Sequence, residues 1–128
     1  MIMLIDTSAP VCRLTFIDGE ISRHYEWQAD RQLAKGLLGW IDEKRLENHK
    51  TWNDITGIGA YRGPGSFTSL RIGLTVVNTL ADSLTIPIVG VMGESWQSDA
   101  LERLKSGEND RIVLPFYDRD ANITAPRK

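Results

Sequence analysis

Apolar residues along this chain fall into continuous runs, alternating stretches and helical stripes, and their spacing predicts the elements in order. Ile2-Met3-Leu4-Ile5 is an unbroken apolar run closed by Asp6-Thr7-Ser8, the pattern of a strand covered on both faces in the middle of a layered sheet. From Val11 to Ile17 the chain alternates. Cys12, Leu14 and Phe16 share one face and Arg13 and Thr15 the other, as in a half-buried strand. Asp18-Gly19 is a hairpin signal, because both residues tolerate positive φ, and a third strand follows over about Glu20 to Trp27. These three strands read as an antiparallel meander.

The period then changes. Leu33, Leu37, Trp40 and Ile41 recur at helical spacing, which predicts a helix from an Asp30 cap to about Asn48. Gly36 and Gly39 sit inside it, each costing up to ~1 kcal/mol relative to Ala. Thr51 to Asp54 breaks the helix, and Ile55 to Tyr61 reads as a buried strand whose Gly57 and Gly59 leave room for close backbone approach. Arg62-Gly63-Pro64-Gly65 is a turn, with Ser66 as N-cap of a second helix to about Leu84. Pro87 ends the connection before an apolar strand at Ile88 to Met92. Glu94 to Lys105 reads as a third helix, stopped by Ser106-Gly107. Arg111 to Tyr117 is either a last strand or an extended tail, and residues 118–128 form a polar C-terminal tail.

The predicted order is β-β-β-α-β-α-β-α. Three antiparallel strands leading into βαβ crossovers give an α/β fold, a mixed sheet with helices on its faces, over a single domain spanning residues 1–117. That order matches the ribonuclease H-like architecture, which is also the repeating half of actin-like folds.

Composition narrows the function classes. At 128 residues the chain buries only about two-thirds of its unfolded surface, enough for one core but not two. Fifteen basic against seventeen acidic residues give a net charge of −2, which excludes nucleic-acid affinity driven by bulk charge. The lone Cys12 cannot form an internal disulfide, and no apolar run approaches the ~20 residues that span a bilayer. The expectation is a cytoplasmic protein with no membrane association.

Chemistry-bearing candidates are few. In Arg62-Gly63-Pro64-Gly65-Ser66-Phe67-Thr68-Ser69-Leu70-Arg71-Ile72-Gly73, glycines flank a proline just before a helix whose first turn is rich in hydroxyls. The segment of Gly63, Pro64, Gly65, Ser66 and Thr68 could hold a phosphate through the helix dipole and its free backbone N–H groups, of which Pro64 has none. The Gly-Lys-[Ser/Thr] ending of a P-loop is absent, as is the third glycine of a dinucleotide fingerprint. A tight turn with a Ser cap, needing no ligand, is the simpler reading. Asp6, Thr7 and Ser8 could supply a carboxylate and hydroxyls for magnesium and phosphate, or simply form a turn. A two-metal nuclease needs converging carboxylates, yet Ala60-Tyr61-Arg62 puts a positive charge where one is wanted. His24 and His49 lack partners at metal-ligand spacing, and Cys12 has no adjacent base.

The second helix carries more apolar surface than one sheet contact needs. Leu70, Leu74, Val77 and Leu80-Ala81 form one stripe, and Ile72, Val76 and Thr79 a second. The surplus fits the first helix as neighbour or a partner protein.

With Gly63-Pro64-Gly65-Ser66-Phe67-Thr68, Leu70-Arg71-Ile72-Gly73, the Ile5-Asp6-Thr7-Ser8 opening, Ile58-Gly59 and Pro87-Ile88-Val89-Gly90-Val91, the chain resembles the bacterial TsaB (YeaZ) family over about Met1 to Trp96. The resemblance implies an actin-like (ASKHA), ribonuclease H-like lobe acting in the synthesis of threonylcarbamoyladenosine beside the tRNA anticodon. It implies a non-catalytic scaffold subunit whose first two helices bind the homologous catalytic TsaD, with the ATPase TsaE joining the pair. No cofactor is expected on this chain, since ATP and magnesium would sit on the partner subunits. The interface residues implied are Leu33, Gly36, Leu37, Trp40, Arg71, Leu74 and Asn78. Two further readings are a homodimer through the same helices and a stand-alone nucleotide-binding enzyme of the actin-like and sugar-kinase superfamily.

The chain departs from the family pattern in places. Relatives usually have Gly where this chain has Ser69, and often a His near Leu33 and a Pro near Gly39. They generally continue into a second lobe after the region of Trp96, so the chain reads as a shortened form. Phe116-Tyr117-Asp118-Arg119 resembles the closing segment of longer relatives. Any tRNA contact is expected to be indirect or weak, through Arg119, Arg127 and Lys128.

Overall fold

β1 (Ile2–Asp6) forms the centre of the sheet because its side chains are apolar on both faces, and every other strand is arranged about it. The computed structural model describes residues 1–117; the polar tail at 118–128, with Arg119, Arg127 and Lys128, lies outside the described residues. β2 (Val11–Asp18) pairs antiparallel with β1, and β3 (Ile21–Gln28) antiparallel with β2. Gly19 turns the hairpin at φ +64°. β4 (Gly57–Tyr61) and β5 (Ile88–Val91) add parallel strands on the far side of β1, in the order β3-β2-β1-β4-β5. This mixed sheet is the ribonuclease H-like, α/β class the sequence predicts.

Helices cover both faces. Met3, Ile5, Cys12, Leu14, Phe16, Ile58 and Ile88 meet α1 (Leu33–Glu47) and α2 (Phe67–Leu84) on one side. Leu4, Val89 and Val91 meet Ala100 of α3 (Trp96–Lys105) on the other. Gly59 lets α3 come close, since a Cβ there would lie 2.6 Å from Cβ of Ala100 and 2.7 Å from Leu4.

Several boundaries differ from the sequence expectation. Asp30 does not cap α1: it has φ +48°, and its carboxylate accepts from Gln28 Nε2 at 2.8 Å. The amides of Ala29 and Asp30 both donate to the Pro10 carbonyl, and a short 3-10 turn at Asp30–Gln32 takes the place of the first helical turn. α3 starts at Trp96 rather than Glu94 because Gly93, at φ +89°, forms a turn first.

Arg111 to Tyr117 forms no strand. It is a strap laid across α2 and β4. Val113 is buried, and the Asn78 side chain holds its backbone. The Phe116 amide donates to the Arg62 carbonyl at 2.7 Å, and Arg62 Nε donates to the Leu114 carbonyl at 2.9 Å. Phe67 and Tyr117 stack with ring centroids 4.4 Å apart.

Candidate functional site

The two segments offered by the sequence as a phosphate site meet at the end of β1. Asp6 Oδ1 accepts the Ser8 amide at 2.8 Å, closing a turn, and the Ser66 amide donates to the Ser8 carbonyl at 2.8 Å. Thr7 is buried, and its hydroxyl donates to the Ser69 carbonyl at 3.1 Å. Glycine is required at two places in this seam. A Cβ on Gly65 would run into Ser8, and one on Gly73 would run into Thr7. Gly63, at φ +126°, faces the Phe116 carbonyl of the strap, and the Tyr61 hydroxyl donates to the Pro64 carbonyl at 3.1 Å.

The Ser66 amide is occupied by Ser8, the Ser66 hydroxyl caps α2 by accepting the Ser69 amide, and the Asp6 carboxylate is engaged by Ser8. Their pattern joins the end of β1 to the start of α2. Thr68 turns away from it into a different feature, the groove described below. Among the described residues, no group of three or more His, Cys, Asp or Glu side chains is placed to hold a metal ion. Burial, with the nearby Asp6 charge, pushes the Cys12 thiol up to about 12, so it is no nucleophile at neutral pH.

The helix positions expected at a partner interface divide into two sets. Leu33, Leu37, Trp40 and Leu74 are core residues, at most 8% exposed. They face the sheet and contribute no surface, which corrects the expectation for these four. Gly36 is small for a different reason from the one expected. A Cβ there would lie 2.7 Å from the Trp27 ring, which stacks on Trp40 with centroids 5.4 Å apart. Asn78 is half-buried, and its side-chain amide is committed to Val113 of the strap. Arg71 remains exposed, with its guanidinium 5.4 Å from the Phe67 ring centre.

What the two helices do expose is a groove of about 360 Å³ lined by Ala34, Thr68, Arg71, Ile72, Thr75 and Val76. Ile72 and Val76 belong to the surplus stripe that the sequence shows on α2. Ala34 and the half-exposed Leu38, one turn further on, continue the apolar face across α1. The sequence reading missed these two. Their i, i+4 spacing was the signal, hidden because the Leu33–Leu37 stripe beside it is stronger.

A family model described as TsaD, tRNA N6-adenosine threonylcarbamoyltransferase, matches residues 27–95, the stretch that holds both helices of the groove. The chain belongs to this family. Within it the chain is of the TsaB (YeaZ) kind. It is 28% identical to the tRNA threonylcarbamoyladenosine biosynthesis protein TsaB of Escherichia coli, over 94% of this chain and 56% of that protein. It is 27% identical to the Haemophilus influenzae TsaB, over 84% of this chain and 46% of that protein. The solved structure of YeaZ from Pseudomonas aeruginosa superposes with a TM-score of 0.65 at 26% identity, over 71% of this chain and 44% of that one. The chain thus spans about half the length of the curated TsaB proteins it matches. Among the described residues, no helix is long and apolar enough to cross a membrane.

Proposed function

We propose that this TsaB-type chain is a non-catalytic subunit in the synthesis of threonylcarbamoyladenosine on tRNA, and that it binds a TsaD-like transferase through the α1–α2 groove. The observation that carries this reading is the groove itself, in which exposed Ala34 of α1 faces the half-buried Ile72 and Val76 of α2 between a rim of Thr68, Arg71 and Thr75. An apolar floor rimmed by polar residues is a common form of interaction site. The family model supports the choice of partner, because it carries the transferase's description and covers both helices. Two related lobes can then meet through like faces, as in a pseudo-isologous pair. A TsaE-like ATPase would join this pair, with ATP and magnesium held by the partner subunits. The bonds already made within the Asp6–Ser8 and Gly63–Thr68 seam weigh against an independent nucleotide site.

Co-expression with the TsaD-like protein of the same genome, followed by size-exclusion chromatography, tests this. A single co-eluting peak is expected, and two separate peaks at micromolar concentrations would overturn it.

A further inference from the structure

The lining of the α1–α2 groove holds one charged side chain, Arg71, and no carboxylate. On a helix, the side chains that meet a given residue stand three and four positions away. Around Arg71 these are Phe67, Thr68, Leu74 and Thr75, none of them acidic, and from α1 the lining adds only Ala34. Other arginines of the chain are neutralised in place, Arg13 by Glu26, Arg45 by Asp42, and Arg103 by Glu108 and Asp110. Among the described residues Arg71 has no such partner. Its guanidinium lies instead 5.4 Å from the centre of the Phe67 ring, and that ring stacks on Tyr117 at 4.4 Å. Arg71 is exposed, so water can serve the N–H donors of its guanidinium while the groove is open.

Covering the groove changes that. A surface seated on Ile72 and Val76 displaces water from a charge in the same lining, and a desolvated charge left without a partner is strongly destabilising. We propose that Arg71 selects the partner: the surface that seats in the groove carries an Asp or Glu carboxylate opposite Arg71, beside an apolar side chain that covers Ile72 and Val76. This rests on the groove reading above and adds to it the chemistry of the partner's side. A guanidinium takes a carboxylate through two parallel N–H···O bonds, so the pair also sets where along the groove the partner sits. A surface with an apolar or cationic side chain at that place leaves Arg71 unpaired or repelled and is discriminated against. The Phe67 ring holds the guanidinium beside the groove, which reduces the side-chain freedom lost on pairing.

The test is titration calorimetry of the full chain against the TsaD-like protein of the same genome, at low and high NaCl, for wild type, Arg71→Lys, Arg71→Gln and Arg71→Glu. Affinity should fall in that order, with Arg71→Gln about tenfold and Arg71→Glu about a hundredfold weaker than wild type at low salt. Wild-type affinity should drop as NaCl rises, because salt screens the pair, and Arg71→Gln should lose most of that dependence. A purely structural role for Arg71 would leave the salt dependence unchanged. Arg71→Gln or Arg71→Glu binding as tightly as wild type would overturn the proposal. A Thr75→Glu variant, on the same wall of the groove, separates the two readings. If it binds weakly while the Arg71 variants match wild type, the groove stands and the role of Arg71 falls. If all of these variants match wild type, or wild type does not bind, both fall.

Discussion

The Asn78 side chain grips the backbone of Val113 at both polar atoms, Nδ2 donating to its carbonyl at 2.9 Å and Oδ1 accepting its amide at 2.8 Å. One amide side chain on α2 thereby replaces a strand partner for the strap and seats Val113 in the core. Asn78→Ala leaves both Val113 groups without their partner and should lower stability by about 1–3 kcal/mol. Urea denaturation measures this. Asn78→Asp keeps the acceptor but loses the donor, so it should fall between Asn78→Ala and wild type.

The seam between β1 and α2 should tolerate no added carbon at Gly73. Alanine normally favours a helix over glycine by up to ~1 kcal/mol, but here its Cβ would collide with buried Thr7. Overpacking of this kind costs about 1–3 kcal/mol, so Gly73→Ala should destabilise on balance. Thermal unfolding of Gly73→Ala and Thr7→Gly, alone and combined, should show that the two changes together cost less than their sum.

Leu37 and Leu74 separate core from surface on the same two helices. Leu37→Ala or Leu74→Ala should cost about 2–5 kcal/mol of stability, because both side chains are buried against the sheet. Thr75→Glu, on the exposed wall of the groove, should leave the denaturation midpoint of the isolated chain within experimental error.

The contact of Asp110 with the outer edge of β5, where its Oδ2 accepts the Gly90 amide at 2.8 Å and Arg103 pairs with its Oδ1 at 2.6 Å, should weaken in acid. Burial pushes the Asp110 carboxyl up, but the Gly90 amide and Arg103 outweigh it and hold the group below its ordinary value of 3.8, with Arg62 nearby in the same sense. A group depressed in the folded state stabilises fully above its unfolded pKa and loses that contribution as pH falls through its folded pKa. Protection of the Gly90 amide should therefore be constant from neutrality down to about pH 5 and fall below about pH 4. Loss of protection already at pH 6 would point to another group.

Much of this architecture is legible in the sequence because periodicity reports burial directly. The Ile2–Ile5 run is the central strand, Cys12, Leu14 and Phe16 do face the core, and Ser66 does cap α2. The Leu33–Leu37 stripe was legible as helix but not as to what it faces. Periodicity identifies an apolar face without saying whether a sheet or a partner covers it, so core residues on such a face read equally well as an interface. Gly36 shows the same limit: a small residue signals close approach, but not that the approaching group is Trp27 of the same chain. The strap and the contacts of Asn109, Asp110 and Arg103 along the outer edge of β5 leave no pattern to read, because these residues and Asn78 act through side-chain hydrogen bonds fixed only by the tertiary fold.

The central claim is that the exposed α1–α2 groove, and not the seam at β1, is where this TsaB-type chain meets a TsaD-like transferase. Titration calorimetry of wild type and Thr75→Glu against that transferase tests it most directly. The account predicts micromolar or tighter binding for wild type and at least tenfold weaker binding for Thr75→Glu, about 1.4 kcal/mol, with the variant fully folded. Equal affinity for the two proteins would contradict it.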